Sequence, residues 1–153
     1  MTISIVPSKP DNWNFSASLA PKIMKETRYS ERSLSLEKLK VIYEYQWIPP
    51  AATKVFYVMS TDQKDPVGLG AFCIGADWFG NAETASDLIV YIDPKYRGGR
   101  GFIKLIKAYE EWARSRGAVE LVLSVSTGIN TQKTGQLYER LGYKLNILRF
   151  TKE

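Results

Sequence analysis

Hydrophobic positions along the first half of the chain recur first at helical spacing and then at strand spacing. Phe15, Leu19 and Ile23 lie four residues apart, as on one face of an amphipathic helix. Pro49-Pro50 ends a second such pattern, because proline lacks the N–H group that a helix interior needs. Residues 1–80 thus predict a weak strand over 2–6, helices over 14–27 and 36–43, and a hairpin of strands over 55–59 and 67–74.

The second half of the chain predicts strands that alternate with helices. The apolar run over 87–92 has the length of a strand and little polar alternation, as expected for a strand buried on both faces. After it the pattern predicts a glycine-rich turn over 93–101, a helix from 102 to Gly117, a strand over 119–125, a helix over 132–141 and a last strand over 143–150. This order indicates one α/β (α+β) domain over 1–153 with a mixed sheet.

Composition narrows the class of protein without identifying it. Of 153 residues, 44% are hydrophobic and 24% are charged, as in an ordinary globular domain. Cys73 is the only cysteine and is interpreted as a small buried side chain, so a reducing compartment is expected. The chain has no histidine and its carboxylates lack calcium-loop spacing, so we expect no metal site. Neither a secretion signal nor an apolar run of about 20 residues is visible, so we expect a cytoplasmic protein without membrane contact.

The net charge of +5 is concentrated in one segment. Residues 95–116 hold seven basic and two acidic side chains, which accounts for the whole excess. A nucleic-acid-binding domain would spread its basic residues over one broad face and would carry a base-reading motif. The clustered charge surrounds the glycine-rich turn, so it favours a small polyanionic ligand over a nucleic acid as partner.

The turn after the strand over 87–92 has the chemistry of an anion-binding site. Residues 97–102 read RGGRGF, and glycines allow backbone N–H groups to approach a phosphate. The helix that follows adds unpaired donors and about half a positive charge at its N-terminus. Lys104, one turn further on, is a candidate for a second phosphate contact. The alternative is a plain glycine-rich connection before a solvated basic helix face; the P-loop and Rossmann signatures are both absent.

Two separate segments resemble the Gcn5-related N-acetyltransferase (GNAT) family. Residues 92–94 (IDP) followed by 96–98 (YRG) are similar to its acetyl-CoA-binding motif, and residues 137–143 (LYERLGY) closely resemble its C-terminal motif. Arg100 and Phe102 stand where the family usually has small residues, a variant similar to that of acetyltransferases from tailed phages and bacteria. The resemblance implies a GNAT-like fold, with a mixed, mostly antiparallel sheet flanked by helices. It also implies direct transfer of an acetyl group from acetyl-CoA to an amine.

The resemblance further implies roles for individual residues. Tyr138 would be the general acid that protonates the departing thiolate of coenzyme A, with an aromatic packing role as the alternative. Asn130 matches a polar position near the cofactor, and its alternative is a helix cap. The strand would bind the pantetheine amides and the turn the pyrophosphate. The residues implied in cofactor binding are Val90, Tyr91, Ile92, Arg97, Gly98, Gly99, Arg100, Gly101, Phe102, Lys104 and Asn130.

The general base is left open by the resemblance. An amine is mostly protonated at neutral pH, so a proton must leave before the nitrogen attacks the thioester. In a chain without histidine, Asp87 and Glu83 near the start of the central strand are the candidates, acting directly or through water. The alternative, which the sequence alone favours, is that both are solvated carboxylates at a strand end.

The acceptor of the acetyl group has no recognisable motif. We expect its site to be built by the first two helices and the loops near Trp47 and Trp78-Phe79, whose aromatic side chains either line a pocket or complete the core. The resemblance is compatible with a homodimer, and with the host cytoplasm or the virion as location if the chain is phage-encoded. The bulky Arg100 and Phe102 leave a rival hypothesis, a GNAT-fold protein without catalysis that serves as a phage-particle component or binds a host partner.

Overall fold

A five-stranded sheet with helices on both faces is the centre of the computed structural model, which describes residues 1–125 and 130–153. The strands are β1 (Ile3–Pro7), β2 (Thr53–Ser60), β3 (Gly68–Ala76), β4 (Glu83–Ile92) and β5 (Glu120–Val122). The helices are α1 (Trp13–Glu26), α2 (Leu36–Glu44), α3 (Gly101–Ser115) and α4 (Thr131–Arg140). The strands lie side by side in chain order, and only the pairing of β4 with β5 is parallel. The predicted mixed, mostly antiparallel sheet is therefore confirmed.

The parallel pairing of β4 with β5 is short. It joins Thr84 to Glu120, and it ends where Ser86 lies opposite Val122. β4 continues to Ile92, and its antiparallel pairing with β3 continues with it. The second half of β4 therefore has a strand neighbour on one side only within the described residues.

A β-bulge lies at the point where β4 and β5 stop pairing. Phe72 of β3 lies opposite Asp87, whereas the preceding residue, Ala71, lies opposite Ile89. Leu88 is the extra residue of β4, and its side chain is exposed. A bulge bends its strand and changes the direction of the side chains on either side of it. Here it separates the first half of β4, which pairs with both β3 and β5, from the second half, which borders the candidate site.

Two hydrophobic clusters hold the helices against opposite faces of the sheet. On one face, the ring of Phe72 from β3 stacks on Tyr109 from α3, with 4.3 Å between the ring centroids and 12° between the ring planes. On the other face, Leu19 of α1 and Tyr43 of α2 pack in one cluster with Tyr57 of β2. Alternate residues of the central strands thus enter different cores, which explains why these strands appear in the sequence as nearly continuous apolar runs.

Helix α3 is amphipathic and is the longest helix that the structure describes, with 15 residues. Leu105, Ile106, Tyr109 and Ala113 are buried on the side that faces the sheet, as their spacing predicts. Gly117, at a φ of 85°, follows the helix in the left-handed conformation that glycine adopts readily. None of the helices in residues 1–125 and 130–153 combines the length and the apolar character that crossing a membrane requires.

Two predicted strands differ from the structure. β5 covers only Glu120–Val122 of the predicted 119–125, and residues 143–150 form no strand, so the prediction of a last strand is wrong. An apolar pattern indicates a strand only where a neighbouring strand supplies hydrogen bonds, and no described strand pairs with this segment. The other predicted elements are confirmed, with boundaries that differ by at most four residues. The apolar side chains of the last segment are instead 71–89% exposed: Leu145, Ile147, Leu148 and Phe150.

The close packing of β3 generates a test of the fold. A Cβ atom at Gly70 would lie 2.7 Å and 2.8 Å from two ring atoms of the buried Phe72. We expect Gly70→Ala to lower the free energy of unfolding by about 1–3 kcal/mol in urea titrations, because the core must shift to accept the methyl group. Gly75→Ala on the same strand is the control, because a Cβ atom there meets nothing within 4 Å. Equal stability of the two variants would show that β3 and its core are not packed as described.

Candidate active site

A cavity of about 450 Å³ lies where β4 and β5 separate. Its walls come from the second half of β4, the turn before α3, the first turn of α3, Ser124 and Val125 after β5, and α4. Four of the predicted site residues do not line it: Glu83, Arg100, Gly101 and Lys104. The other predicted site residues do: Asp87, Val90, Tyr91, Ile92, Arg97, Gly98, Gly99, Phe102, Asn130 and Tyr138.

The second half of β4 presents its backbone to this cavity. Pairing with β3 continues to Ile92, whereas the described pairing with β5 ends at Ser86. The side chains of Tyr91 and Ile92 are buried in the cores on the two faces of the sheet. The edge of β4 that β5 leaves unpaired is therefore available to a ligand. Its backbone N–H and C=O groups can form hydrogen bonds with an amide-bearing chain, as they would with another strand.

The three glycines of the turn have different surroundings. Gly98 has a φ of 86°, a left-handed conformation that favours glycine, and it lines the cavity together with Gly99. A Cβ atom at Gly99 would meet nothing within 4 Å. Gly101 is the buried first residue of α3, and a Cβ atom there would lie 3.2 Å from the side chain of Ile3. Gly98 and Gly99 therefore border the site, whereas Gly101 lets α3 approach the sheet closely.

Arg97 is already bound within the protein. Its Nε donates a hydrogen bond to the carbonyl oxygen of Ile92 at 2.6 Å. Its Nη1 lies 2.5 Å from Oε1 of Glu26, at the end of α1, and its guanidinium group lies over the ring of Tyr91, 5.6 Å from the centroid. A phosphate group that binds to Arg97 must therefore compete with the Glu26 carboxylate.

The predicted site residues outside the cavity have structural surroundings of their own. The Nζ of Lys104 donates a hydrogen bond to the carbonyl oxygen of Ile3 at 2.8 Å, away from the cavity. Arg100 is the exposed residue that precedes α3. Glu83 begins β4 opposite Ala76, at the far end of the strand from the turn. These positions leave Asp87 as the predicted carboxylate that faces the cavity.

Asp87 is held by one residue of the neighbouring chain segment. The backbone N–H of Ser124 lies 3.1 Å and 3.2 Å from the two carboxylate oxygens of Asp87. The hydroxyl group of Ser124 also donates to this carboxylate, at 3.1 Å and 3.3 Å from the same two oxygens. Burial raises the pKa of Asp87 above its ordinary value, and the two Ser124 donors oppose this rise because they stabilise the ionised form.

Tyr138 of α4 lines the same cavity and is buried, with 7% of its surface exposed. Its hydroxyl group donates a hydrogen bond to the carbonyl oxygen of Ser124 at 3.2 Å. Its ring stacks on Phe102 of α3, with 6.0 Å between the centroids. Burial, and to a lesser degree the charge of Asp87, raise the pKa of Tyr138, so the phenol carries its proton at neutral pH.

The remaining predicted positions divide between the cavity and the surface. Asn130 lines the cavity at the N-cap position of α4, with a φ of 43°, and its side chain makes no capping hydrogen bond among the described residues. Trp78 and Phe79 are 94% and 73% exposed and lie outside the cavity, so neither completes the core. Trp47 stacks edge-on against Tyr43 and is also partly exposed. The cavity as described is thus formed without these aromatic side chains.

Ser124 lines the cavity, and sequence reasoning missed it. It appears in the sequence as one hydroxyl residue within the apolar run over 119–125, which is a weak signal. In the structure it contacts both a carboxylate with a raised pKa and a protonated phenol in the same cavity. A carboxylate can accept a proton, and a protonated phenol can donate one, during a reaction.

Comparison with known proteins identifies what this chain is similar to. The family model described as the acetyltransferase (GNAT) family matches residues 22–143. An acetyltransferase from Trypanosoma brucei is 20% identical, with 99% of each chain covered and a TM-score of 0.73. An aminoglycoside acetyltransferase from an uncultured soil sample is 14% identical, with 100% and 99% coverage and a TM-score of 0.76. Glucosamine-6-phosphate N-acetyltransferase from Arabidopsis thaliana is 13% identical, with 100% and 99% coverage and a TM-score of 0.74. No curated protein sequence matches the chain.

The raised pKa of Asp87 predicts a pH-dependent effect on stability. Folding favours the protonated carboxyl group, so stability falls as the pH rises from the unfolded pKa of about 3.9 through the higher folded value. Asp87→Asn stays neutral and keeps an oxygen acceptor for Ser124. We expect its Tm to exceed that of the unmodified protein at pH 7, and the difference to shrink below about pH 4. A lower Tm of the variant at pH 7 would contradict this account of the partly buried carboxylate.

Proposed function

The chain belongs to the acetyltransferase (GNAT) family, and we propose that it transfers an acetyl group from acetyl-CoA to a primary amine by direct attack of the amine nitrogen. One observation carries the proposal above all: Asp87 and Tyr138 face the same cavity and are joined through Ser124. A site for amine acetylation needs a group that takes a proton from the amine and a group that gives one to the leaving sulfur.

The cavity offers acetyl-CoA a place for each of its parts. The backbone N–H groups near Gly98 and Gly99 and the N-terminus of α3 suit the pyrophosphate. The open edge of β4 at Val90–Ile92 suits the amides of the pantetheine arm. Lys104 and Arg100 lie outside the cavity and act on the phosphates only through the local positive potential. Acetyl-CoA supplies the thioester, and the chain's own residues position it and move protons.

Asp87 serves as the general base in this proposal. It accepts a proton from the amine, directly or through water, and its raised pKa brings it closer to the range in which a base is effective near neutral pH. The amine nitrogen then forms a bond to the carbonyl carbon, and the bond from that carbon to sulfur breaks. Glu83 is the weaker candidate because it begins β4 outside the cavity.

Tyr138 serves as the general acid. Its proton is retained at neutral pH, and it transfers that proton to the thiolate that leaves as coenzyme A. In the structure the hydroxyl group points to the Ser124 carbonyl oxygen, and Phe102 supports the ring from the side of α3. In the role of general acid, this hydroxyl group donates to the thiolate in place of the Ser124 carbonyl oxygen.

Binding of the donor substrate tests the cavity directly. We expect isothermal titration to give micromolar Kd values for acetyl-CoA and for desulfo-CoA, because the pyrophosphate and pantetheine contacts are common to both. Gly99→Val should raise Kd at least about tenfold, since its side chain would enter the open space beside the turn. Gly75→Val, on the exposed end of β3, is the matched control. If neither ligand binds to the unmodified protein, the proposed donor site is wrong.

Release of coenzyme A tests the chemistry. Candidate amines are tested as acceptors of the acetyl group. They include an aminoglycoside and glucosamine 6-phosphate, because two structural neighbours are acetyltransferases named after these compounds, and a peptide with a free N-terminal amine. We expect Tyr138→Phe to lower kcat by about tenfold or more and to leave the Kd of acetyl-CoA nearly unchanged. Tyr45→Phe, at an exposed position after α2, is the control. Equal turnover of Tyr138→Phe and the unmodified protein would remove this residue from the mechanism.

Acetyl-CoA binding by the unmodified protein without turnover of any amine would favour the rival function, a binding protein that has lost catalysis.

A further inference from the structure

Ser124 occupies the position where the backbone ladder between β4 and β5 is replaced by side-chain contacts. The last parallel pair is Ser86 with Val122. One residue further along β4 and two residues further along the β5 segment, the Ser124 N–H meets the Asp87 carboxylate instead of a backbone carbonyl group. The carboxylate therefore satisfies a backbone donor that the separated strands no longer satisfy.

The same residue makes three separate polar contacts that serve the cavity. Its N–H and its hydroxyl group both donate to Asp87, and its carbonyl oxygen accepts from Tyr138. Two donors from one residue fix a carboxylate in position and in rotation, which a single donor does not. Because the third contact comes from the same residue, the positions of Asp87 and Tyr138 are linked to each other.

We propose that Ser124 is a positioning residue of the acetyl transfer, which holds the Asp87 carboxylate through its hydroxyl and amide groups and the Tyr138 hydroxyl through its carbonyl oxygen. This inference rests on the proposed function, in which Asp87 accepts a proton and Tyr138 donates one. The physical reason is that proton transfer requires both groups at hydrogen-bonding distance from the reacting atoms, and small displacements lower the rate strongly.

The hydroxyl group can be removed without removing the backbone contacts. Ser124→Ala keeps the N–H donor and the carbonyl acceptor and deletes one donor to Asp87. Ser124→Thr keeps the hydroxyl group and is the conservative variant. Ser115→Ala, at the end of α3, removes a hydroxyl group that bonds only to the Trp112 carbonyl oxygen among the described residues and is the control.

The first measurement does not depend on turnover. The Asp87 carboxyl carbon is followed by NMR in protein labelled with ¹³C-aspartate, and its resonance is identified by its loss in Asp87→Asn. Burial and the charge of Asp87 raise the pKa of Tyr109 of α3 and of Tyr138 of α4, so both phenols stay protonated while Asp87 titrates, and both remain in every variant. We expect the Asp87 titration to move to higher pH in Ser124→Ala, because the ionised form has lost a donor, and to stay in place in Ser124→Thr and Ser115→Ala.

The second measurement uses the best acceptor of the amine panel. We expect Ser124→Ala to lower kcat about tenfold and to move the acid limb of the kcat profile to higher pH, while the Kd of acetyl-CoA changes less than about twofold. Ser124→Thr should recover most of the lost turnover. An unchanged Asp87 titration in Ser124→Ala overturns the inference whether or not transfer occurs. A shifted titration in a protein that acetylates none of the amines overturns the proposed function, and with it the catalytic purpose of Ser124.

Discussion

The parallel ladder between β4 and β5 joins only three residue pairs, and the strands separate beyond Ser86 and Val122. The bulge at Leu88 bends β4 at this point, so that its second half continues along β3 but leaves β5. On the face covered by α3, the hydroxyl group of Tyr109 donates to the Val122 carbonyl oxygen at 2.9 Å. The helix thus helps to fix the end of β5, and the cavity forms in the space that the separated strands leave.

Separation of the strands leaves backbone polar groups that need partners. Beyond the last described pair, the backbone groups of the exposed Ser124 bond to side chains instead of to a neighbouring strand. Asp87 supplies one by accepting from Ser124, and Tyr138 supplies another by donating to the Ser124 carbonyl oxygen. The same groups that complete the hydrogen bonding of the opened sheet are those with the chemistry for proton transfer. The proposed function therefore uses the contacts that replace strand pairing at this point.

The residues that depart from the family's glycine-rich motif have identifiable places. Phe102 stands where a small residue is usual, and its ring stacks on Tyr138, so it supports the proposed general acid instead of obstructing the turn. Arg100 is exposed before α3, outside the cavity. Arg97 is paired with Glu26, which joins the turn to the end of α1 on the opposite face of the sheet. The cavity next to the turn is consequently less positively charged than the count of basic residues in 95–116 suggests.

The sequence by itself determined most of the helices and strands, since their apolar spacing depends on residues close together in the chain. It also located the glycine-rich turn and, through the family resemblance, singled out Tyr138. Only the tertiary structure decided which carboxylate faces the cavity, that Lys104 bonds to the Ile3 carbonyl oxygen, and that residues 143–150 have no strand neighbour within 1–125 and 130–153. Ser124 belongs to the same group, because its contacts to Asp87 and Tyr138 join residues 37 and 14 positions apart in the chain. Such contacts depend on how β4, the segment after β5 and α4 pack against one another, and a local pattern of hydrophobic and polar residues does not predict the packing of segments that are distant in the chain.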